Sequence, residues 1–357
     1  MAGRLLYLAS AAFAQYTAAV TLDSLTTHHV DPNSVSVSGF SSGGFMAAQL
    51  GVAYSELFKA GFGVFAGGPY DCGRDQDFTT CLFNGTPSIE KPLVNMRSWS
   101  GHQIDCLCNL KQRKIYIQAG TADDVVGLGI TTLLEDQLSH FALPSNVRFV
   151  TSDGAAHAMP TDVDGQGNSP CDESTLPYIA NCGYDGAGEV LKWFYGERLK
   201  PRGQGPLSGD IFSFPQIGML GAPGLAETAF VYVPKKCQHG RRAVCRLHVA
   251  LHGCGMHFEQ IGDKFLVNTG YNLWADTNEM IVLYPQTTVD NGTYPTWSGN
   301  LSNSNACFDW IGQYGESDWK IGDHMRAIVN MVKTIIGRHS KPGSSIRHST
   351  LPFDEEL

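Results

Sequence analysis

The stretch "VSVSGFSSGGFM", residues 35–46, decides the fold class. Apolar and small polar residues alternate up to Phe40, which is typical of a strand, and the segment from Ser42 onward is typical of a helix. Between them, "GFSSG" has the form G-x-S-x-G. After a strand and before a helix, this form predicts a nucleophile elbow with Ser41 at its centre. A flexible turn is the alternative, because G-x-S-x-G also occurs by chance.

The second serine has a different predicted part. Ser42 opens the helix, and the unpaired backbone N–H groups at a helix N-terminus favour an anion. We therefore expect its amide to form half of an oxyanion hole.

The rest of the chain alternates strand and helix patterns, which indicates an α/β protein. Apolar strand-like runs occur at 60–68, 113–120, 146–154, 229–234, 245–255 and 280–286, and amphipathic helix patterns at 131–143, 186–199 and 321–336. A Gly/Pro-rich joint lies at 200–210. The alternation predicts a mostly parallel central sheet with helices on both faces.

Two strand ends supply partners for a serine nucleophile. The strand at 113–120 leads into Asp123, with Asp124 as a rival, and the strand at 146–154 leads into His157. A serine hydroxyl needs a base, and the base needs an acid to orient it. The order Ser, Asp, His fits an α/β-hydrolase triad. If each residue is considered alone, Asp123 could instead cap a helix or lie in a solvated loop, and His157 could be an ordinary surface histidine.

The strand that usually precedes the nucleophile is displaced along the chain. His252-Gly253-Cys254 ends a strand in the way expected of an oxyanion strand, but it lies about 210 residues after Ser41. We infer a circularly permuted α/β-hydrolase, cut before the nucleophile strand and rejoined near 200–210. Such cuts are tolerated because domain termini often lie close together.

The composition limits the classes of protein to which the chain can belong. The chain has 357 residues, of which 43% are hydrophobic and 17% charged, so it can bury a sizeable core. The net charge of −9 without a basic cluster disfavours nucleic acid. No run is long enough to span a membrane. No metal or organic cofactor is expected.

The pattern of residues 1–14 predicts a secretory signal, with a buried helix as the alternative.

Ten cysteines suit a secreted protein. Three pairs close in sequence could each close a short loop, namely Cys72/Cys81, Cys171/Cys182 and Cys237/Cys245, and Cys254 could bridge to Cys307. Cys106 and Cys108 are left over, because two cysteines at i and i+2 of a strand are not expected to pair easily with each other. Asn84, Asn291 and Asn300 are glycosylation sequons. The polar tail at 339–357 is expected to be disordered.

Several long stretches resemble one family. "PNSVSVSGFSSGGFMAAQLGVAYS", "GVFAGGPYDC", "LHVALHGC", "NTGYNLWADTNEMIVLYPQ" and "CFDWIGQYG" are similar to secreted, single-domain, fungal-type poly(3-hydroxybutyrate) depolymerases. The resemblance covers roughly residues 30–338. It implies a permuted α/β-hydrolase fold and one catalytic domain over 21–338.

The resemblance also assigns residues. It implies that Ser41 is the nucleophile, Asp123 the acid and His157 the base, and that the backbone N–H groups of Ser42 and Cys254 form the oxyanion hole. It implies a substrate crevice lined by Trp310, for which core packing is the alternative, and it matches the four cysteine pairs. Two departures stand out: Phe308 replaces an expected tryptophan, and Cys106 and Cys108 are extra.

The expected function is extracellular hydrolysis of poly(3-hydroxybutyrate) by a monomer. The partner is a solid or oligomeric polyester. One alternative is a secreted serine esterase that acts on acetylated or feruloylated polysaccharide or on small soluble esters. The other is a hydrolase-like binding protein without catalytic activity.

Overall fold

The computed structural model describes residues 20–21, 24–238 and 243–337. The predicted signal at 1–14 and the predicted tail at 339–357 lie outside these residues. No helix within the described ranges is long and apolar enough to cross a membrane.

A mostly parallel sheet of nine strands forms the centre of the described part. Its strands are β1 (Val20–Thr21), β2 (Val30–Phe40), β3 (Gly61–Phe65), β4 (Ile115–Gly120), β5 (Val147–Ser152), β8 (Asp210–Pro215), β9 (Thr228–Val233), β10 (Cys245–Leu251) and β11 (Met280–Tyr284). Their spatial order is β1-β8-β9-β11-β10-β2-β3-β4-β5. Only β9 runs antiparallel to its neighbours in this sheet. The predicted α/β class with a mostly parallel sheet is therefore confirmed.

Two further strand pairs lie outside the central sheet. They are the parallel pair β6 (Met159–Thr161) with β7 (Ile179–Asn181), and the antiparallel hairpin β12 (Asp290–Thr296) with β13 (Gly299–Asn303). The first pair carries the chain just after His157. The hairpin reaches the cleft described below.

Helices pack on both faces of the sheet. They are α1 (Ser42–Ala53), α2 (Glu90–Trp99), α3 (Leu128–Ser139), α4 (Gly186–Tyr195), α5 (Phe258–Ile261), α6 (Lys264–Asn268), α7 (Tyr271–Thr277) and α8 (Asp323–Ile335). Because side chains of a strand alternate between faces, Val35 and Val37 of β2 join one apolar cluster, which includes α1, α3 and α8. Phe40 joins the other cluster, with α4 and α7. Every residue of α1 is buried, so the helix behind Ser41 is held on all sides.

Four disulfides have the predicted partners. The bonds are Cys72–Cys81, Cys171–Cys182, Cys237–Cys245 and Cys254–Cys307. The last joins segments 53 residues apart, with its Cα atoms 4.3 Å apart. It therefore ties the end of β10 to the loop after β13.

The expectation that Cys106 and Cys108 do not pair is wrong. The two cysteines are disulfide-bonded, with Cα atoms 5.1 Å apart. In an extended strand, residues i and i+2 share one face, but their Cα atoms lie about 6.6 Å apart and their side chains run parallel, which is poor geometry for a disulfide. Instead a 3₁₀ turn begins directly after Cys106 and runs over Leu107–Gln112, and its tighter backbone brings the two Cα atoms close enough for the bond.

Candidate active site

Ser41 lies at a sharp turn between β2 and α1. Its φ is 56° and its ψ is −121°, a conformation that costs free energy for any residue with a side chain. Glycines on both sides make the turn possible. A Cβ on Gly39 would lie 2.1 Å from the carbonyl oxygen of Gly43, and a Cβ on Gly43 would lie 2.4 Å from that of His252. The geometry is that of the nucleophile elbow expected from the sequence.

The structure brings the three predicted triad residues together. The Nε2 atom of His157 lies 2.9 Å from the Oγ atom of Ser41, and its Nδ1 atom lies 2.9 Å from Oδ2 of Asp123. Both of these distances are in hydrogen-bond range. All three side chains are largely buried. The arrangement can transfer the serine proton to the imidazole while the carboxylate orients the ring.

Asp123 is held in its ionised form. Burial opposes the charge, but the hydrogen bond from His157 and the positive charge that His157 can carry favour it. The amides of Val125 and Val126 also donate to Oδ1, at 2.9 and 3.0 Å. Together these donors outweigh burial and lower the pKa of Asp123 below its ordinary value. The carboxylate is therefore charged at neutral pH.

The rival acid, Asp124, has another partner. Its Oδ1 atom accepts a hydrogen bond from the Ser174 hydroxyl at 2.5 Å. That hydroxyl in turn accepts from the backbone N–H of His157 at 3.2 Å. Asp123 therefore contacts the histidine ring, while Asp124 supports the histidine backbone through Ser174.

Two backbone amides lie unpaired beside Ser41. Within the described residues, neither the N–H of Ser42 nor that of Cys254 has a hydrogen-bond acceptor. The end of β10 contacts the elbow closely, since a Cβ on Gly253 would lie 3.0 Å from Cβ of Ser41. Free N–H groups on both sides of a nucleophile can stabilise an oxyanion. Their role in this chain stays a prediction.

These groups open into a cleft with a volume of about 660 Å³. Apolar side chains form much of its lining, among them Phe40, Phe78, Leu82, Leu176, Tyr178 and Leu301. Several rim residues are exposed, including Phe83 at 65% and Leu176 at 47%. Such a cleft suits a ligand with apolar groups along its length.

Trp310 both packs and lines the cleft. Its ring stacks on Phe45 with centroids 4.1 Å apart and 12° between the planes, and it is 7% exposed. The loop that carries it is built around one carboxylate. Asp309 accepts hydrogen bonds from the backbone N–H groups of Ile311, Gln313 and Tyr314. Contact between Trp310 and substrate stays a prediction.

The other residues singled out in the sequence lie outside the triad. Phe308 is fully buried, and its ring lies 5.0 Å from that of His252. Asn84 is exposed, and its side-chain amide donates to the carbonyl oxygen of Asp123 at 3.4 Å. Asn291 and Asn300 are exposed on the β12–β13 hairpin. Their glycosylation is untested.

Sequence reasoning missed several residues of the site. The supporting Ser174, the turn-forming Asp309 and the cleft-lining Leu176 and Tyr178 were not singled out. For Asp309 the sequence contains a signal that could have been used. An aspartate before "WIG" can accept a hydrogen bond from the backbone two residues further on, as in an Asx turn. The other three lie in a loop whose fold depends on the Cys171–Cys182 bridge.

The chain is similar to known depolymerases over most of its length. No protein-family model matches the chain. The chain is 54% identical over 321 residues to a polyhydroxybutyrate depolymerase of Talaromyces funiculosus, which covers 89% of this chain and 94% of that protein. It is 37% identical over 326 residues to a poly(3-hydroxybutyrate) depolymerase of Delftia acidovorans, which covers 89% of this chain and 62% of that protein.

Two solved structures have the same fold. One is a PHB depolymerase from Penicillium funiculosum, and the other is a serine-to-alanine variant of a PHB depolymerase in complex with an R3HB trimer. Each has a TM-score of 0.87 and 53% identity, over 89% of this chain and 100% of the solved chain. The fold, the site and these similarities together show that the chain belongs to the polyhydroxybutyrate depolymerase family.

Proposed function

We propose that this chain hydrolyses the ester bonds of poly(3-hydroxybutyrate) through an acyl-enzyme on Ser41. The observation that carries the proposal is the continuous hydrogen-bonded chain from Ser41 through His157 to Asp123 at the floor of an apolar cleft. The 54% identity to a polyhydroxybutyrate depolymerase supports the substrate class.

The first half of the reaction forms the acyl-enzyme. His157 takes the proton of the Ser41 hydroxyl as the oxygen attacks the ester carbonyl carbon. The amides of Ser42 and Cys254 donate to the developing oxyanion, and loss of one such donor typically costs about 10²–10³ in rate. The tetrahedral intermediate collapses, and His157 returns the proton to the departing alcohol end.

The second half releases the acid. His157 takes a proton from water, the water oxygen attacks the acyl carbon, and the Ser41 oxygen leaves with the proton. Asp123 holds the imidazole in the tautomer that has its proton on Nδ1, and it stabilises the imidazolium that forms in both halves. The products are 3-hydroxybutyrate oligomers and monomer.

We also propose a permuted α/β-hydrolase topology. The strand β10, which ends in His252-Gly253, pairs with the nucleophile strand β2 although it follows β2 by about 200 residues. This neighbourhood supports a chain that was cut before β2 and rejoined near 200–210. One catalytic domain over 21–338 accords with the single central sheet.

The remaining part of the proposal is an extracellular, monomeric enzyme. The disulfides among the described residues support an oxidising compartment.

A substrate panel tests the proposed function. Purified wild-type protein is assayed on a poly(3-hydroxybutyrate) suspension, on acetylated and feruloylated polysaccharide, and on nitrophenyl esters. We expect clearing of the suspension and release of soluble 3-hydroxybutyrate. Activity on nitrophenyl esters or polysaccharide without clearing would identify a different esterase. Absence of hydrolysis on every substrate would indicate a binding protein.

A further inference from the structure

His252 lies where β10 ends, directly before the amide assigned to the oxyanion hole. Its side chain is fully buried, and its ring has partners at both nitrogens. Nδ1 lies 2.7 Å from the carbonyl oxygen of Gly253. Nε2 lies 3.3 Å from the backbone nitrogen of Thr287. The catalytic steps above do not use this histidine.

The partners decide which nitrogen carries the proton. A backbone N–H can only donate, so Nε2 of His252 must accept from the amide of Thr287. The Thr287 hydroxyl oxygen also lies 3.4 Å from Nε2, but its proton is donated to the carbonyl oxygen of Ala306 at 2.5 Å. Nδ1 therefore carries the proton and donates it to the oxygen of Gly253. Burial lowers the pKa of His252 to about 4, so the ring is neutral at neutral pH.

The accepting oxygen belongs to the same peptide group as the proposed oxyanion donor. The carbonyl of Gly253 and the N–H of Cys254 lie in one rigid plane and point in opposite directions. A hydrogen bond that holds the oxygen on one side therefore aims the N–H on the other side. It also polarises the peptide group, which strengthens the donor.

We propose that His252 is a positioning residue that aims the Cys254 N–H at the oxyanion. The proposal rests on the proposed function, because it assigns a part in the same ester hydrolysis. Without the bond from His252, only the N–H of Met256, at 3.2 Å, would hold the Gly253 oxygen. A tilt of the less restrained peptide plane would move the Cys254 N–H away from the carbonyl oxygen of the substrate. The Cys254–Cys307 bridge holds the Cys254 side chain, whereas His252 holds the peptide group that precedes it.

A second buried histidine on the same strand provides a matched control. His248 is also fully buried. Its ring lies 2.8 Å from the hydroxyls of Ser36 and Ser38, and it makes no hydrogen bond to the peptide before Cys254. Replacement of either histidine removes buried hydrogen bonds from β10. Only replacement of His252 removes one from the oxyanion peptide, which then keeps the longer bond from the Met256 N–H.

The experiment compares His252→Gln, His252→Asn and His248→Gln. The Asn amide nitrogen can occupy the place of Nδ1 and still donate to Gly253, whereas the longer Gln side chain places its amide near Nε2. We expect His252→Gln to lower kcat on a soluble nitrophenyl ester by about 10- to 100-fold with little change in KM, which is less than loss of a whole donor. His252→Asn should keep most of the activity.

A second readout separates positioning from packing. An alkyl boronic acid forms a tetrahedral adduct on a serine hydroxyl, so its inhibition constant should rise in His252→Gln by the same factor as kcat falls. His248→Gln should leave both quantities near wild type at a comparable loss of thermal stability. Wild-type kcat in His252→Gln, or an equal loss of kcat in His248→Gln, would overturn the proposal.

The wild-type protein gives an independent test if a variant fails to fold. Nitrogen-15 NMR of the histidine rings should show His252 protonated at Nδ1 alone, and protonation at Nε2 would overturn the proposal. A wild-type protein that hydrolyses no ester would instead refute the proposed function, whichever tautomer is found.

Discussion

The contact between α1 and the end of β10 makes Gly43→Ala the most informative substitution. A Cβ at this position would lie 2.4 Å from the carbonyl oxygen of His252 and 2.6 Å from that of Leu251. Both neighbours are backbone atoms, so no side chain can rotate away. The methyl group can be accommodated only if α1 and β10 move apart.

The size of this movement follows from the distances. Real Cβ contacts are not shorter than about 3.0 Å, so the two backbones must separate by at least about 0.6 Å. The amides of Ser42 and Cys254 lie on opposite sides of this contact. Because a misplacement of about 1 Å costs about 10²-fold in rate, we expect kcat to fall by roughly 10- to 100-fold. Overpacking should also cost about 1–3 kcal/mol of stability.

Gly129→Ala is the matched control. Gly129 is the second residue of α3, just as Gly43 is the second residue of α1, and a Cβ there would meet no atom within 4 Å. The assay is kcat on a soluble nitrophenyl ester at a temperature at which circular dichroism shows each variant folded. Wild-type kcat in Gly43→Ala would refute the claim that this contact sets the spacing of the two amides.

Three further predictions concern the triad, the bridge and a buried acid pair. Asp123→Asn should lower kcat about 10⁴-fold with the fold intact, and a loss below tenfold in ester assays would contradict its role as the orienting acid. Removal of the Cys254–Cys307 bond by serine at both positions should cost about 4 kcal/mol for a loop of 53 residues, measurable in urea, and a stability equal to wild type would contradict this. Burial and the carboxylate of Asp318 raise the pKa of Asp71 to about 10, so the folded state keeps a proton that the unfolded chain releases near pH 4. Stability should therefore fall as pH rises between these values, and Asp71→Asn should remove most of this slope in thermal unfolding; an unchanged slope would contradict the assignment.

The triad could be predicted from the sequence because each of its residues follows a strong local signal. An apolar strand precedes each of them, and the carboxyl ends of parallel strands meet at one edge of the sheet. The choice between Asp123 and Asp124 lay beyond residue patterns. It depends on how the turn after β4 folds back on Ser174.

Other elements were missed for physical reasons. The helix α2 contains Pro92, which resembles a helix breaker, but a proline in the first turn is tolerated because N–H groups there have no partner within the helix. The β12–β13 hairpin is polar and half exposed, so it lacks the apolar alternation of a strand in a sheet that faces the core. The bond between Cys106 and Cys108 depended on a turn where extended backbone had been assumed.

The assignment of Ser41 as the nucleophile that degrades the polymer has one direct test. The measurement is the turbidity of a poly(3-hydroxybutyrate) suspension over time, with wild type and Ser41→Ala at equal amounts of adsorbed protein. We expect wild type to clear the suspension and to release 3-hydroxybutyrate, and Ser41→Ala to bind the polymer without clearing it. Clearing by Ser41→Ala at the wild-type rate would contradict the assignment of the nucleophile, and no clearing by wild type would contradict the proposed substrate.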